Sequence, residues 1–307
     1  MTGLSRDIVA TVAYYDAMDF PLTGFEIWKY LMATGEEKDR VSLEVVLATL
    51  ETEEIKKRLV SDRGWYAVRG REDLFDKRWT RERRSEIKMK RIQKLAQVLR
   101  WVPFVRMVAL TGSVAMKNTK RDSDWDMLIS VRAGHIWMGR VLVTGVLHLI
   151  GKRRWGTHHR DRACLNFWIT SESLEITLKD WFSSHEYTTL VPVYGAHEYR
   201  RFRMANSWIT RFRPQYRPTT LVSRWCVMDR WYIRVVRDIG EIVLGDKWFE
   251  KKLGEMQKKK IEANPKTKWA GSLIVANDSA LLFLPKPRGP KIFEKFKHRV
   301  SEIEAMV

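Results

Sequence analysis

Asp124 and Asp126, one residue apart, follow an apolar run that breaks at Gly112-Ser113. In an extended chain successive side chains point to opposite faces, so the two aspartates share one face while Trp125 and Met127 take the other. Carboxylates held side by side repel each other unless a cation lies between them. Mg²⁺ suits that place, because it binds one or two carboxylates and keeps its other positions for water and substrate phosphates. The run Val108-Ala109-Leu110-Thr111 reads as a buried strand. At Gly112-Ser113 a helix begins, and its first backbone N–H groups could meet an anion.

Gly112-Ser113, the spacer to Asp124 and the flanking apolar strands resemble the nucleotidyltransferase superfamily typified by DNA polymerase β. The resemblance covers about residues 104–131. It implies transfer of a nucleoside monophosphate from a nucleoside triphosphate to a nucleic-acid acceptor, an RNA 3′ end, with release of pyrophosphate. It also implies that Asp124 and Asp126 hold Mg²⁺ or Mn²⁺, while Gly112, Ser113 and Lys117 meet the triphosphate. In that superfamily a third carboxylate comes from a later strand. Here the inward polar position of the strand 163–170 is Asn166, an amide assigned to the nucleotide. Glu175, on the strand-like piece Leu174–Leu178, is the substitute catalytic carboxylate. Two other functions compete: the same chemistry on a protein or small-molecule acceptor, and a nucleic-acid-binding protein with a degenerate core, which Asn166 favours.

The surrounding pattern is that of an α+β protein with a small mixed sheet. Residues 1–75 resemble a winged helix: helical faces at Ile8–Ala13, after Thr23 and after Ser42, then a hairpin about Ser61-Asp62-Arg63-Gly64. The third helix carries Glu44, Glu51, Glu53 and Glu54, which argues for a packing or protein-contact module over a major-groove reader. Residues 76–103 form a basic connector helix, whose stretch 77–100 holds ten basic and two acidic residues. The nucleotidyltransferase core occupies 104–180, as strand, short helix, strand, helix and strand. Residues 181–307 read as an Arg-rich helical domain. Within it, 200–237 contains ten arginines, no lysine and one acid, interleaved with aromatics. Arg84, Lys88 and Arg91 of the connector, and Arg230, Arg234 and Arg237 on one later helix face, are the candidate nucleic-acid contacts. Proteins of the resembled layout also carry pieces like Ser184-His185-Glu186, Pro192-Val193-Tyr194-Gly195 and Asn206-Ser207-Trp208, to which the sequence assigns no role.

Composition agrees with a polyanion partner. Fifty-six Lys and Arg stand against 37 Asp and Glu, a net charge of +19. Cys164 and Cys226 read as separate buried thiols, which points to a reducing, cytoplasmic setting. The start of the chain shows no secretory pattern, and the longest apolar stretch, Ile136–Ile150, is too short for a bilayer. Neither a membrane nor a particular oligomeric state is implied.

Overall fold

The computed structural model describes residues 2–35, 40–217 and 223–305. Helix α1 (Gly3–Asp16) starts on Thr2, whose hydroxyl accepts from the Ser5 N–H at 3.2 Å. Strand β1 (Leu22–Thr23) leads into α2 (Gly24–Lys29), where Thr23 and Glu26 cap each other's backbone N–H. Helices α3 (Leu43–Leu50), capped by Ser42, and α4 (Glu53–Lys56) follow. Strands β2 (Leu59–Asp62) and β3 (Trp65–Val68) form the expected hairpin. Its turn places Arg63 and Gly64 at φ +51° and +80°, the left-handed pair that matches the twist of the flanking strands. The three strands pair antiparallel in the order β1-β3-β2. Ile8, Val12, Leu22, Ile27, Val46 and Leu50 pack into one cluster above them.

Helix α5 (Leu74–Leu99) carries the chain to a second, six-stranded sheet. Strand β4 (Val105–Leu110) is followed by the single turn α6 (Gly112–Ala115), then β5 (Trp125–Val131), α7 (Ile136–Leu149) and β6 (Ala163–Thr170). Helix α8 (Trp181–Thr188), β7 (Val191–Tyr194) and α9 (Ala196–Ala205) come next. Strands β5 and β6 are parallel, joined by the crossover helix α7, and Asp126 lies opposite Cys164 in their register. The alternation expected of β5 is realised. Trp125, Met127 and Ile129 pack with α5 and α7 on one face, and Leu128 packs with α9 on the other.

The chain ends with α10 (Trp231–Leu244), α11 (Lys247–Glu262), β8 (Leu273–Ala276), β9 (Ala280–Leu284) and α12 (Gly289–Ala305). These strands correct the expectation that 181–307 is helical. β8 and β9 form a hairpin that extends the sheet to β7-β4-β5-β6-β9-β8, with Phe167 opposite Leu282. The Asn277 carboxamide accepts the Ser279 and Ala280 N–H groups and closes that turn. Helix α12 returns to the first unit, where Ile303 is buried and the rings of Phe296 and Tyr14 meet edge to face at 5.6 Å. Helix α10 turns Ile233, Arg237 and Glu241 inward and leaves Trp231, Ile239 and Ile242 exposed.

The architecture is thus α+β, with helices around two sheets. A second correction concerns Leu174–Leu178, which is irregular chain, not strand. Asn206 explains the form it takes: its side chain accepts from the Ile176 N–H and donates to the Leu174 carbonyl, each at 2.9 Å. Both bonds substitute for a ladder. Among the described residues no helix is long and apolar enough to cross a membrane. Cys164 and Cys226 are both free thiols.

Candidate functional site

Gly112 makes the site possible. Its φ is +63°, and a Cβ there would stand 2.7 Å from Asp126 Oδ2. Only glycine lets the turn after β4 lie directly against that carboxylate. Asp126 sits at the start of β5, and Asp124 immediately precedes the strand. Ligand atoms of Asp124, Asp126 and Cys164 lie within 4.8 Å of one another.

A chain of hydrogen bonds holds the two acids. The Arg154 guanidinium donates to Asp124 Oδ2 and, at 3.0 Å, to Cys164 Sγ. Cys164 donates at 2.8 Å to Asn166 Oδ1, and Asn166 Nδ2 donates at 3.0 Å to Asp126 Oδ1. Asn166 therefore orients Asp126. Asp124 Oδ1 and Asp126 Oδ2 accept no hydrogen bond among the described residues. Burial, and then the charge of Asp124, push the Asp126 carboxyl up to about 6, against the opposing pull of Arg288 and Arg154. Burial beside the same two acids pushes the Cys164 thiol up to about 12, so this sulfur stays protonated and is a poor ligand for a hard cation.

A third carboxylate does reach the site, but from a position that sequence reasoning missed. Glu186, on α8, lies beside the Gly112 N–H and the Thr111 hydroxyl, both of which favour its charged form. Burial and the neighbouring Asp126 push it up to about 7, while Arg288 and those two donor groups pull it down. Its signal was the Ser184-His185-Glu186 piece. The rest of that piece is structural: His185 is fully buried, with Nδ1 2.9 Å from the Tyr15 hydroxyl and Nε2 3.0 Å from Met116 Sδ. The other two unassigned pieces are structural as well. Gly195, at φ +82°, brings the chain so close to β4 that a Cβ would lie 2.0 Å from the Arg106 carbonyl oxygen, and Asn206 braces residues 174–176.

Several expected site residues lie elsewhere. Glu175 is exposed and bound to Lys179 at 2.5 Å, on a surface cleft that shares no residue with the aspartate pair. The chain reaches it from the end of β6 opposite Cys164, which is why it cannot replace the missing acid. Lys117 is tied to Glu82 of α5 at 2.8 Å. Ser113 lies in α6, and its hydroxyl makes no hydrogen bond among the described residues.

The candidate nucleic-acid contacts divide. Lys88 is only 5 % exposed, donates to the Ser123 carbonyl and pairs with Asp161 at 3.2 Å, so it braces the loop before β5. Arg91 pairs with the same Asp161 at 2.7 Å, and Arg84 is exposed. Arg237 is 8 % exposed, pairs with Asp229 at 3.1 Å and donates to the Tyr194 hydroxyl. Arg230 and Arg234 are exposed beside it. The stripe read as unpaired is therefore partnered at its inner end, by an acid eight residues earlier in the chain.

Compared with protein-family models, with curated proteins and with solved structures, the chain matches none.

Proposed function

We propose that this protein is a metal-dependent nucleotidyltransferase that moves a nucleoside monophosphate from a nucleoside triphosphate to a nucleic-acid hydroxyl, an RNA 3′ end. The observation that carries this reading is the pair of aspartates packed on a glycine turn, each with one oxygen unclaimed by hydrogen bonds among the described residues. The donors fit Mg²⁺ or Mn²⁺. Two carboxylates are drawn together where burial and the neighbouring Asp124 already disfavour the charge of Asp126, so a cation relieves the strain. Asp124 and Asp126 would hold it, with Cys164 outside the ligand set. When bound, the metal would favour deprotonation of the acceptor hydroxyl and offset charge on the triphosphate.

The acceptor hydroxyl gives up its proton to solvent, its oxygen forms a bond to the α-phosphorus, the bond from that phosphorus to the bridging oxygen breaks, and pyrophosphate leaves. Within this scheme Asn166 fixes the Asp126 rotamer and Arg154 holds Asp124. Glu186 stands beside the Gly112 turn, and Arg288 adds positive charge near both Asp126 and Glu186. On this reading residues 104–180 form the catalytic core and 1–75 a winged-helix-like module for packing or protein contact. The net charge of +19 draws the acceptor, and Arg84, Arg230 and Arg234 are its candidate contacts.

One observation favours a second reading, a nucleic-acid-binding protein with a degenerate core: Arg154 already occupies Asp124 Oδ2. Incubation with labelled nucleoside triphosphates, Mg²⁺ and total RNA, followed by electrophoresis, separates the two. Mg²⁺-dependent label on RNA, lost when Asp124→Asn and Asp126→Asn are combined, supports transfer. Unlabelled RNA that is still bound refutes transfer and leaves the second reading.

A further inference from the structure

A cavity of about 700 Å³ lies between α7, α11 and the β6 and β8–β9 strands, and it shares Arg154, Cys164 and Asn166 with the aspartate site. Its lining includes Arg140, Arg153, Arg154, Lys260, Lys266 and His148, with no aspartate or glutamate. Leu165, Ile261, Ile274 and Phe283 supply an apolar wall. Arg140 is the key group. It is half-buried, its guanidinium lies 4.7 Å from the Phe283 ring centre, and its bonded partner is the neutral Gln257 amide oxygen at 2.8 Å. Arg140, Arg153, Lys260 and Lys266 pair with no carboxylate among the described residues, although the Lys88, Arg91 and Arg237 cations all do. Burial, with Arg153 nearby, pulls the Arg140 guanidinium down to about 10, a sign of positive charge without compensation.

We propose that this cavity binds a nucleotide through its phosphate, with Arg140 and Lys260 on the anion and the base against the Phe283 wall. The volume falls in the range of small-ligand pockets, and guanidinium forks suit phosphate oxygens. Through Arg154, Cys164 and Asn166 the bound nucleotide lies beside Asp124 and Asp126. Its identity as the acceptor rests on the transfer reaction proposed above; its binding does not. A free mononucleotide and the last residue of an RNA strand present the same phosphate and base.

Calorimetric titration of the full chain without metal or triphosphate tests this, using adenosine 5′-monophosphate in one arm and a five-residue RNA in the other. Binding of the mononucleotide alone assigns the cavity to a free nucleotide, and binding of the RNA assigns it to a strand end. Lys260→Gln with Lys266→Gln, both exposed and tolerable to the fold, is expected to weaken binding about tenfold. Adding Arg140→Gln is expected to weaken it further. Failure of both probes to bind the wild-type chain overturns the proposal, as does wild-type affinity in the lysine variant. Binding that follows the expected pattern in a protein that never labels RNA sinks the transfer reaction alone.

Discussion

Gly112→Ala is the most informative single substitution, because its two costs can be separated. The first is backbone strain: φ is +63°, and a residue with a side chain pays about 1 kcal/mol in the left-handed region. The second is contact. The new Cβ starts 2.7 Å from Asp126 Oδ2, whereas ordinary contact begins at 3.4 Å, so the carboxylate must retreat by the difference of 0.7 Å. That movement pulls Asp126 Oδ1 from Asn166 Nδ2, now at 3.0 Å, a charge-assisted bond contributing about 1.5 kcal/mol. The total is about 2.5 kcal/mol. Gly70→Ala is the control, since Gly70 has φ +85° but nothing within 4 Å of the place its new methyl would take, leaving only the strain of about 1 kcal/mol. Urea unfolding should rank wild type, Gly70→Ala and Gly112→Ala in that order. Labelled-nucleotide transfer should fall roughly tenfold to a hundredfold in Gly112→Ala alone, the range expected for misplacing a reacting group by somewhat under 1 Å. Equal stability of the two alanine variants, with undiminished transfer, would refute the close approach on which the site is built.

Two further outcomes are expected. Arg237→Ala should cost about 2 kcal/mol in urea unfolding, because the half-buried Asp229 loses its nearest cation and keeps only the Tyr194 hydroxyl and the longer Arg234 contact, yet leave the salt dependence of RNA binding unchanged; Arg230→Ala with Arg234→Ala should do the reverse. A flattened salt slope in Arg237→Ala at full stability would return that residue to the nucleic-acid surface. His185 is buried, which holds its imidazole well below the usual range, with Arg213 adding to the effect. As pH drops below about 6.5 the unfolded chain binds a proton that this buried ring refuses, so its contribution to stability falls by about 1.4 kcal/mol per pH unit. The stability difference between wild type and His185→Gln should accordingly shift in favour of the variant between pH 6.5 and 5.5, and a pH-independent difference would mean that the ring is accessible to protons.

How much of this was legible beforehand depended on whether the signal was local. The alternation of Trp125 and Met127 against Asp124 and Asp126 puts the two sets on opposite faces of one strand, and the cap residues Thr23 and Ser42 start helices where they stand. Tertiary partners were not legible in that way. Lys88 and Arg237 look like their exposed neighbours until Asp161 and Asp229 are seen to reach them. Glu186 lies sixty residues beyond Asp126, on a helix whose approach to Gly112 no spacing encodes. Strands β8 and β9 are short, and the surrounding lysines and prolines hid their pairing with β6. Asn166 could be named as the polar position on its strand, but its bond to Asp126 required the β5–β6 register.

The embrace of α1 by α12 has a consequence for how the molecule comes into being. Asp16 and Arg299, 2.6 Å apart in the folded protein, are separated by 283 positions in sequence. During synthesis α1 leaves the ribosome long before α12, and the edge of Tyr14 that Phe296 meets stays open until α12 has been translated. Closure of that unit is a late, long-range event, and meanwhile its greasy surface is a natural landing place for chaperones.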